Sequence, residues 1–133
     1  MAFNEDTRVK IPAILHLTQL GYEYVSLHKD NRIDSSSNIF TDIFAESLER
    51  INPNIEDLSP AKIYEELKQY LDYEDFGKKF YERITAETGI KIVDFQNFDN
   101  NTFNVVTELP CINGEDEFRP DITILINGLP LLY

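Results

Sequence analysis

An aspartate at the mouth of a strand is a position from which metal-assisted chemistry can be done. Asp121 follows Arg119 and Pro120 and opens the β-branched run Ile122-Thr123-Ile124-Leu125-Ile126. Asn127-Gly128, a strong two-residue hairpin signal, then turns the chain into Leu129-Pro130-Leu131-Leu132. Facing residues on paired strands lie about 4.5–5.5 Å apart at Cβ, so charged groups on the returning strand would converge with Asp121. Hard divalent cations such as Mg2+ take oxygen ligands, commonly one or two carboxylates together with water and phosphate oxygens. Such an ion activates water and stabilises charge on a phosphodiester under attack. The plainer reading is that Asp121 solvates a strand end. Residue types and spacing leave both readings open.

Other side chains with chemical potential are weaker. Glu108 stands at the end of the preceding strand, either as an exposed strand-end acid or as a second acid on the same cleft. His16 and His28 are the two histidines, too few for a zinc constellation. Cys111 has no histidine beside it and reads as a small buried apolar residue. Tyr64, Tyr70, Tyr73 and Tyr81 carry helical spacing that suits core or groove-lining positions better than a base-stacking platform. Lys78, Lys79 and Arg83 form a short basic strip, either a solvated helix face or a contact to a phosphate backbone. No Gly-Lys-Ser/Thr loop is present to cradle nucleotide phosphates.

The elements that position these residues follow from periodicity. Asn4-Glu5-Asp6-Thr7 carries capping and first-turn acidic residues, and Val9, Ala13, Leu17 and Leu20 recur at helical spacing before Gly21. Pro12 either kinks that helix or marks its first turn. Tyr22 to Leu27 alternates like a short strand, and His28 to Ser37 reads as a polar loop. Phe40, Phe44, Leu48 and Ile51 line a helix that Asn52-Pro53-Asn54 ends. Ser59-Pro60 starts a helix lined by Ile63, Leu67 and Leu71. Phe76, Phe80 and Ile84 line a third, which Gly89 should close. The period then shortens. Ile90 to Phe95 and Thr102 to Leu109 read as strands, with turns at Asp99-Asn100-Asn101 and at Asn113-Gly114-Glu115-Asp116, ahead of the terminal hairpin. Helices followed by a run of strands predict an α+β domain, a mixed and mainly antiparallel sheet covered by helices.

Composition sets limits. A chain of 133 residues suits one domain with a real core. Its 24 acidic against 12 basic residues give a net charge of -12, which argues against gripping nucleic acid through the general surface. A role on DNA would have to act through a metal site, a local basic strip, or help from parts outside residues 1–133. A single cysteine allows no internal disulfide and fits a reducing, cytoplasmic setting. No apolar run reaches the length that spans a bilayer, and Met1 to Lys10 is too polar for a secretory signal, so no membrane partner is expected. An apolar strand begun at Leu129 and cut at Tyr133 would be an unprotected edge, so residues 1–133 are expected to be the front piece of a larger protein.

Two stretches resemble the N-terminal nuclease domain of type I restriction enzyme R subunits. They are Asn4-Glu5-Asp6-Thr7-Arg8-Val9-Lys10 continuing to Leu20-Gly21-Tyr22, and Phe118-Arg119-Pro120-Asp121 running through Asn127-Gly128-Leu129-Pro130-Leu131. Ile51-Asn52-Pro53 and Thr102-Phe103-Asn104-Val105-Val106 are similar too. The resemblance implies a restriction-endonuclease-like fold and Mg2+-dependent hydrolysis of DNA. Asp121 would be the metal-binding and catalytic aspartate, and Glu5 matches best the supporting acid of the first helix. The family's Glu-X-Lys would follow on the second strand, just past Tyr133. An ATP-driven motor, a docking segment, and the modification and specificity subunits as partners belong to the same implication. These residues by themselves would be inactive. A regular two-residue turn makes Asp121 face the residue just before the expected glutamate, so a wider turn drawing in Leu129, or a bulge near Pro120-Asp121, is expected. The alternative is an acidic module without chemistry, a DNA mimic or a dock for a basic partner.

Overall fold

The protein is described by a computed structural model that covers residues 11–27, 33–34, 37–71, 77–86, 89–113 and 116–132. Four helices and eight strands are found among these residues. In chain order they are α1 (Ile11–Gln19), β1 (Glu23–Tyr24), β2 (Ile33–Asp34), β3 (Ile39–Phe40), α2 (Thr41–Ile51), α3 (Pro60–Leu71), α4 (Lys78–Thr85), β4 (Phe103–Thr107), β5 (Cys111–Asn113), β6 (Asp116–Phe118), β7 (Ile122–Ile126) and β8 (Leu129–Leu132). The main sheet has the order β1-β4-β7-β8, with β1 parallel to β4 and the other pairs antiparallel. The expected α+β architecture with a mixed, mainly antiparallel sheet is therefore the one adopted.

The helices form where their apolar residues repeat. On α2 the buried residues are Phe44, Ser47, Leu48 and Ile51, one face at helical spacing. On α3, Ile63 and Leu67 are buried, whereas Leu71 is 42% exposed. Ser59 precedes Pro60, and its carbonyl accepts from the N–H groups of Lys62 and Ile63. With Ile84 of α4 and Leu129 of β8, these faces close one core that includes Ile39, Ile92 and Val93. A second core packs Val106 and Leu125 of β4 and β7 with Val25, Phe40 and Leu109. Pro12 is the second described residue of α1.

Four local expectations are corrected. Residues 90–95 form no strand. Their backbone is held by side-chain amides instead: Asn52 Oδ1 accepts from Lys91 N–H (2.8 Å), Asn52 Nδ2 donates to Lys91 O (2.8 Å), and Asn127 Nδ2 donates to Ile92 O (2.9 Å). Asn101 adds the same two-way pairing on Asp94, accepting from its N–H at 2.8 Å and donating to its O at 2.9 Å. The segment buries Ile92 and Val93 without a neighbouring strand because five hydrogen bonds from three side-chain amides engage the peptide groups of Lys91, Ile92 and Asp94. Within the stretch read as a polar loop, Ile33–Asp34 pairs antiparallel with Ile39–Phe40. Tyr64 Oη donates to Asp34, and Lys68 Nζ lies 3.0 Å from the same carboxylate oxygen, which ties that hairpin to α3. Helix α4 ends at Thr85, with Ala86 already extended, and Gly89 (φ +75°) belongs to the following loop. The Thr85 hydroxyl donates to Tyr81 O at 2.9 Å, a contact that favours a helix end over its continuation. The strand expected over Tyr22–Leu27 is only Glu23–Tyr24, continued by one bond from Val25 N–H to Val105 O. Glu5, His28, Tyr73, Phe76 and residues 114–115 lie outside the described residues, as does the side chain of Cys111.

The hairpin corner is a two-residue turn, as its Asn-Gly signal predicts. Asn127 (φ +52°) and Gly128 (φ +81°) both take the left-handed backbone that a type I′ turn needs. Neither the wider turn nor a bulge near Pro120-Asp121 is formed. A bulge lies instead on β8: Ile126 faces Leu129 and Leu125 faces Pro130, whereas Ile124 faces Leu132, leaving Leu131 as the extra residue. Pro130 is compatible with this edge strand: opposite Leu125, one step past the Ile126–Leu129 pair that closes the turn, its missing N–H faces away from β7 and costs no bond of the ladder.

Asn127 is 1% exposed and its amide is fully engaged. Oδ1 accepts from Thr102 N–H (2.8 Å), while Nδ2 donates to Ile92 O (2.9 Å) and Asn101 Oδ1 (3.0 Å). A Cβ on Gly128 would stand 2.6 Å from Phe40 O and 2.9 Å from Phe44 N. Asn127→Ala, which orphans several buried partners, is expected to cost about 3 kcal/mol in urea unfolding. Gly128→Ala, strained in φ and overpacked, is expected to cost at least about 2 kcal/mol. A loss below about 0.5 kcal/mol for either would contradict this account of the corner.

Asp94 gives a pH signature. Its carboxylate accepts from the N–H groups of Asn97 (2.9 Å) and Gln96 (3.1 Å). The Asn97 N–H is the main cause that holds its pKa below the ordinary 3.8; burial opposes it, and the Asn100 amide, the Gln96 N–H and Lys91 add to it. A folded pKa below the unfolded one means stability that is present above the unfolded value and lost as pH falls through the folded one. Wild type should therefore exceed Asp94→Asn in stability at neutral pH, with the gap closing as acid unfolding is followed below about pH 4.

Among the described residues, Thr123 Oγ1 and Asn104 Oδ1 are buried and find no hydrogen-bond partner. Thr123→Val keeps the shape and removes the unpaired hydroxyl. Its unfolding midpoint should stay level or rise by up to about 1 kcal/mol in stability, and a loss larger than that would show that the hydroxyl is engaged.

Candidate functional site

The site lies at the end of the sheet away from the hairpin corner, where β4 finishes and β7 begins. The β4–β7 ladder runs from Phe103 opposite Ile126 to Thr107 opposite Ile122. One step further, the Glu108 N–H donates to the Asp121 carbonyl at 3.3 Å. The structure thus sets the two candidate acids side by side across adjacent strand ends. Glu108 ends β4 by taking positive φ (+55°), and Pro120 precedes Asp121, so neither strand continues past the pair. Both side chains are exposed. Among the described residues, no hydrogen bond or ion pair engages the Asp121 carboxylate, and no group of three or more His, Cys, Asp or Glu converges as a metal cluster.

Beside this pair is a hollow of about 170 Å³ lined by Tyr24, Leu27, Thr107, Glu108, Pro110 and Arg119. Tyr24 reaches it because β1 runs parallel to β4, with Tyr24 opposite Val105. The Tyr24 and Thr107 hydroxyls lie 3.3 Å apart, within hydrogen-bond reach. Sequence reasoning missed both hydroxyls as site residues. Tyr24 reads only as a strand aromatic, and a parallel partner 81 positions away, Val105, leaves no local signal. Arg119, noted beside Asp121 in sequence, is the cation of this lining.

The other candidates are placed elsewhere. His16 is exposed in the last turn of α1. Arg83 Nε donates to Glu66 Oε1 at 3.0 Å, and Lys78 lies 3.9 Å from Glu82, so the basic strip of α4 stands among acids. Tyr64 bonds Asp34 and Ser37, Tyr70 donates to Glu66 (3.1 Å), and Tyr81 is 68% exposed, an arrangement unlike a stacking platform. No helix among the described residues is long and apolar enough to cross a membrane.

Oxygen donors with two carboxylates at adjacent strand ends suit a hard divalent cation. Comparison with known proteins agrees with the resemblance carried by the sequence. The model of the family described as type I restriction enzyme R protein N terminus matches residues 2–133. The putative type I restriction enzyme MjaIXP endonuclease subunit of Methanocaldococcus jannaschii is 29% identical over 153 residues, covering 96% of this chain and 14% of the relative. The type I restriction enzyme SauMSSORF170P endonuclease subunit of Staphylococcus aureus (strain MSSA476) is 30% identical over 149 residues, covering 99% of this chain and 14% of the relative. The chain therefore spans about 14% of the length of these relatives. With a family match that runs from residue 2 to the hairpin and through Asp121, the chain belongs to the type I restriction enzyme R protein N-terminus family.

Proposed function

We propose that this domain supplies the metal-binding aspartate, Asp121, of a site that hydrolyses DNA phosphodiesters with Mg2+ in a longer endonuclease subunit. The register of the hairpin is the observation that carries the reading. In a regular ladder Asp121 would face the first position after Tyr133. The extra residue at Leu131 moves every later pair by one, so Ile124 faces Leu132. Continued at that register, the ladder brings Asp121 opposite the second position after Tyr133, where the family resemblance expects the glutamate of Glu-X-Lys. Facing residues share one side of the sheet, so the two carboxylates would meet. Family membership also favours this reading over a non-catalytic acidic module.

The roles divide accordingly. Asp121, exposed and with its backbone held by the Glu108 N–H, offers carboxylate oxygens to the cation. Glu108 is the neighbouring acid on the same strand end, and Glu5 remains the proposed supporting acid of the first helix. When bound, Mg2+ supplies positive charge for the scissile phosphate and lowers the pKa of a coordinated water. DNA, the modification and specificity subunits, an ATP-driven motor and a cytoplasmic location are part of the same proposal and concern the whole subunit.

The test uses a longer polypeptide that continues past β8. Asp121→Asn is expected to lower Mg2+-dependent plasmid nicking by at least about a hundredfold, with the thermal unfolding midpoint unchanged because the side chain is exposed. Nicking by this variant at the wild-type rate would sink the assignment. The 133-residue chain itself is expected not to nick plasmid.

A further inference from the structure

Resting on that reading of Asp121, the geometry points to a second subsite: we propose that the hollow beside the aspartate binds a phosphate of the DNA strand next to the one that is cleaved. Its charge is Arg119, and its neutral donors are the hydroxyls of Tyr24 and Thr107.

Three observations support it. The hollow adjoins the proposed cleavage point, since Glu108 both lines it and pairs through its N–H with the Asp121 carbonyl. Arg119 lies two residues before Asp121, and two residues of extended chain span at most roughly 7 Å, so cation and acid belong to neighbouring units of one bound strand. The chemistry matches as well. A guanidinium presents planar paired donors suited to a phosphate, and hydroxyl groups are regular phosphate contacts. Tyr24 and Thr107, 3.3 Å apart, share one proton between them, which leaves the other available to a ligand. On a chain at -12, DNA cannot be held by a general basic surface, so a local cation in a polar hollow is where backbone contact is to be sought.

Glu108 makes the proposal sharp, because it stands in the same lining with the opposite charge. If phosphate enters, removing Arg119 and removing Glu108 must act in opposite directions. The test measures binding of the 133-residue chain to a short fluorescent duplex by anisotropy, without metal and at low ionic strength, over a series of salt concentrations. Arg119→Gln is expected to weaken binding severalfold and to reduce the slope of log affinity against log salt by about one. Glu108→Gln is expected to tighten binding, and Tyr24→Phe to weaken it by less than Arg119→Gln. Circular dichroism and unfolding midpoints check that these exposed positions leave the fold intact. No detectable binding by wild type, an unchanged affinity and slope in Arg119→Gln, or weaker binding in Glu108→Gln would each overturn the subsite. Because this assay is metal-free and reads binding, whereas the Asp121 test reads Mg2+-dependent nicking by a longer polypeptide, the two proposals can fail separately.

Discussion

The fold depends on one buried amide. Asn127 sits at a hairpin corner, a place usually left to solvent, yet it is 1% exposed and satisfies backbone or side-chain groups of Thr102, Ile92 and Asn101. The Asn127 N–H donates to Thr102 O at 2.8 Å, so the corner and the entry to β4 exchange hydrogen bonds in both directions. Gly128 then lets the β3–α2 junction approach closely, with Phe40 N–H donating to Gly128 O at 2.9 Å. One dipeptide thereby joins the sheet, the strandless 90–95 segment and the start of α2. Its worth is cooperative: each buried group would be unsatisfied if the corner moved, and unsatisfied buried groups cost more than a typical hydrogen bond contributes.

Fixing one end of the sheet this tightly leaves the other end to chemistry. The β4–β7 ladder is regular from Phe103–Ile126 to Thr107–Ile122, so the position of the corner propagates along it to the strand ends that carry Glu108 and Asp121. The irregularity lies on β8, the edge strand, at Leu131. A bulge there shifts the pairing of β8 along β7 without disturbing the central pair. This is a mechanically sound place for a register adjustment, since the core residues Val105, Val106 and Leu125 keep their partners.

Much of this was legible because it is encoded locally. Asn127-Gly128 announces its turn through the backbone that both residues must adopt, and Phe44, Leu48 and Ile51 announce a helix face through spacing. Asp121 is a candidate through its place at the start of a β-rich run together with the family resemblance of the residues around it. What could not be read depends on partners distant in sequence. Residues 90–95 are as apolar as a strand, and only the arms of Asn52, Asn101 and Asn127 make a ladder unnecessary. A bulge could be expected from the face that the family resemblance gives Asp121, but nothing in the local pattern marks Leu131 as its place. Tyr24 entered the site through parallel pairing with β4, which no short-range pattern records.

The acidic character of the chain bears on how such a domain would meet DNA. At -12, long-range electrostatics oppose approach by a polyanion, and the opposition weakens beyond the Debye length of about 8 Å at physiological ionic strength. On the proposed function, contact would be decided locally, at the strand ends where Arg119, Asp121 and Glu108 are grouped. A divalent cation held between protein carboxylates and a phosphate reverses the sign of the interaction at that point alone, since the acids that repel DNA in its absence become ligands in its presence. A surface that is generally repulsive and locally bridged by metal confines a polyanion to the one place where it can be hydrolysed. On the proposed function, that would be a physical reason for the domain to remain acidic although its substrate is acidic too.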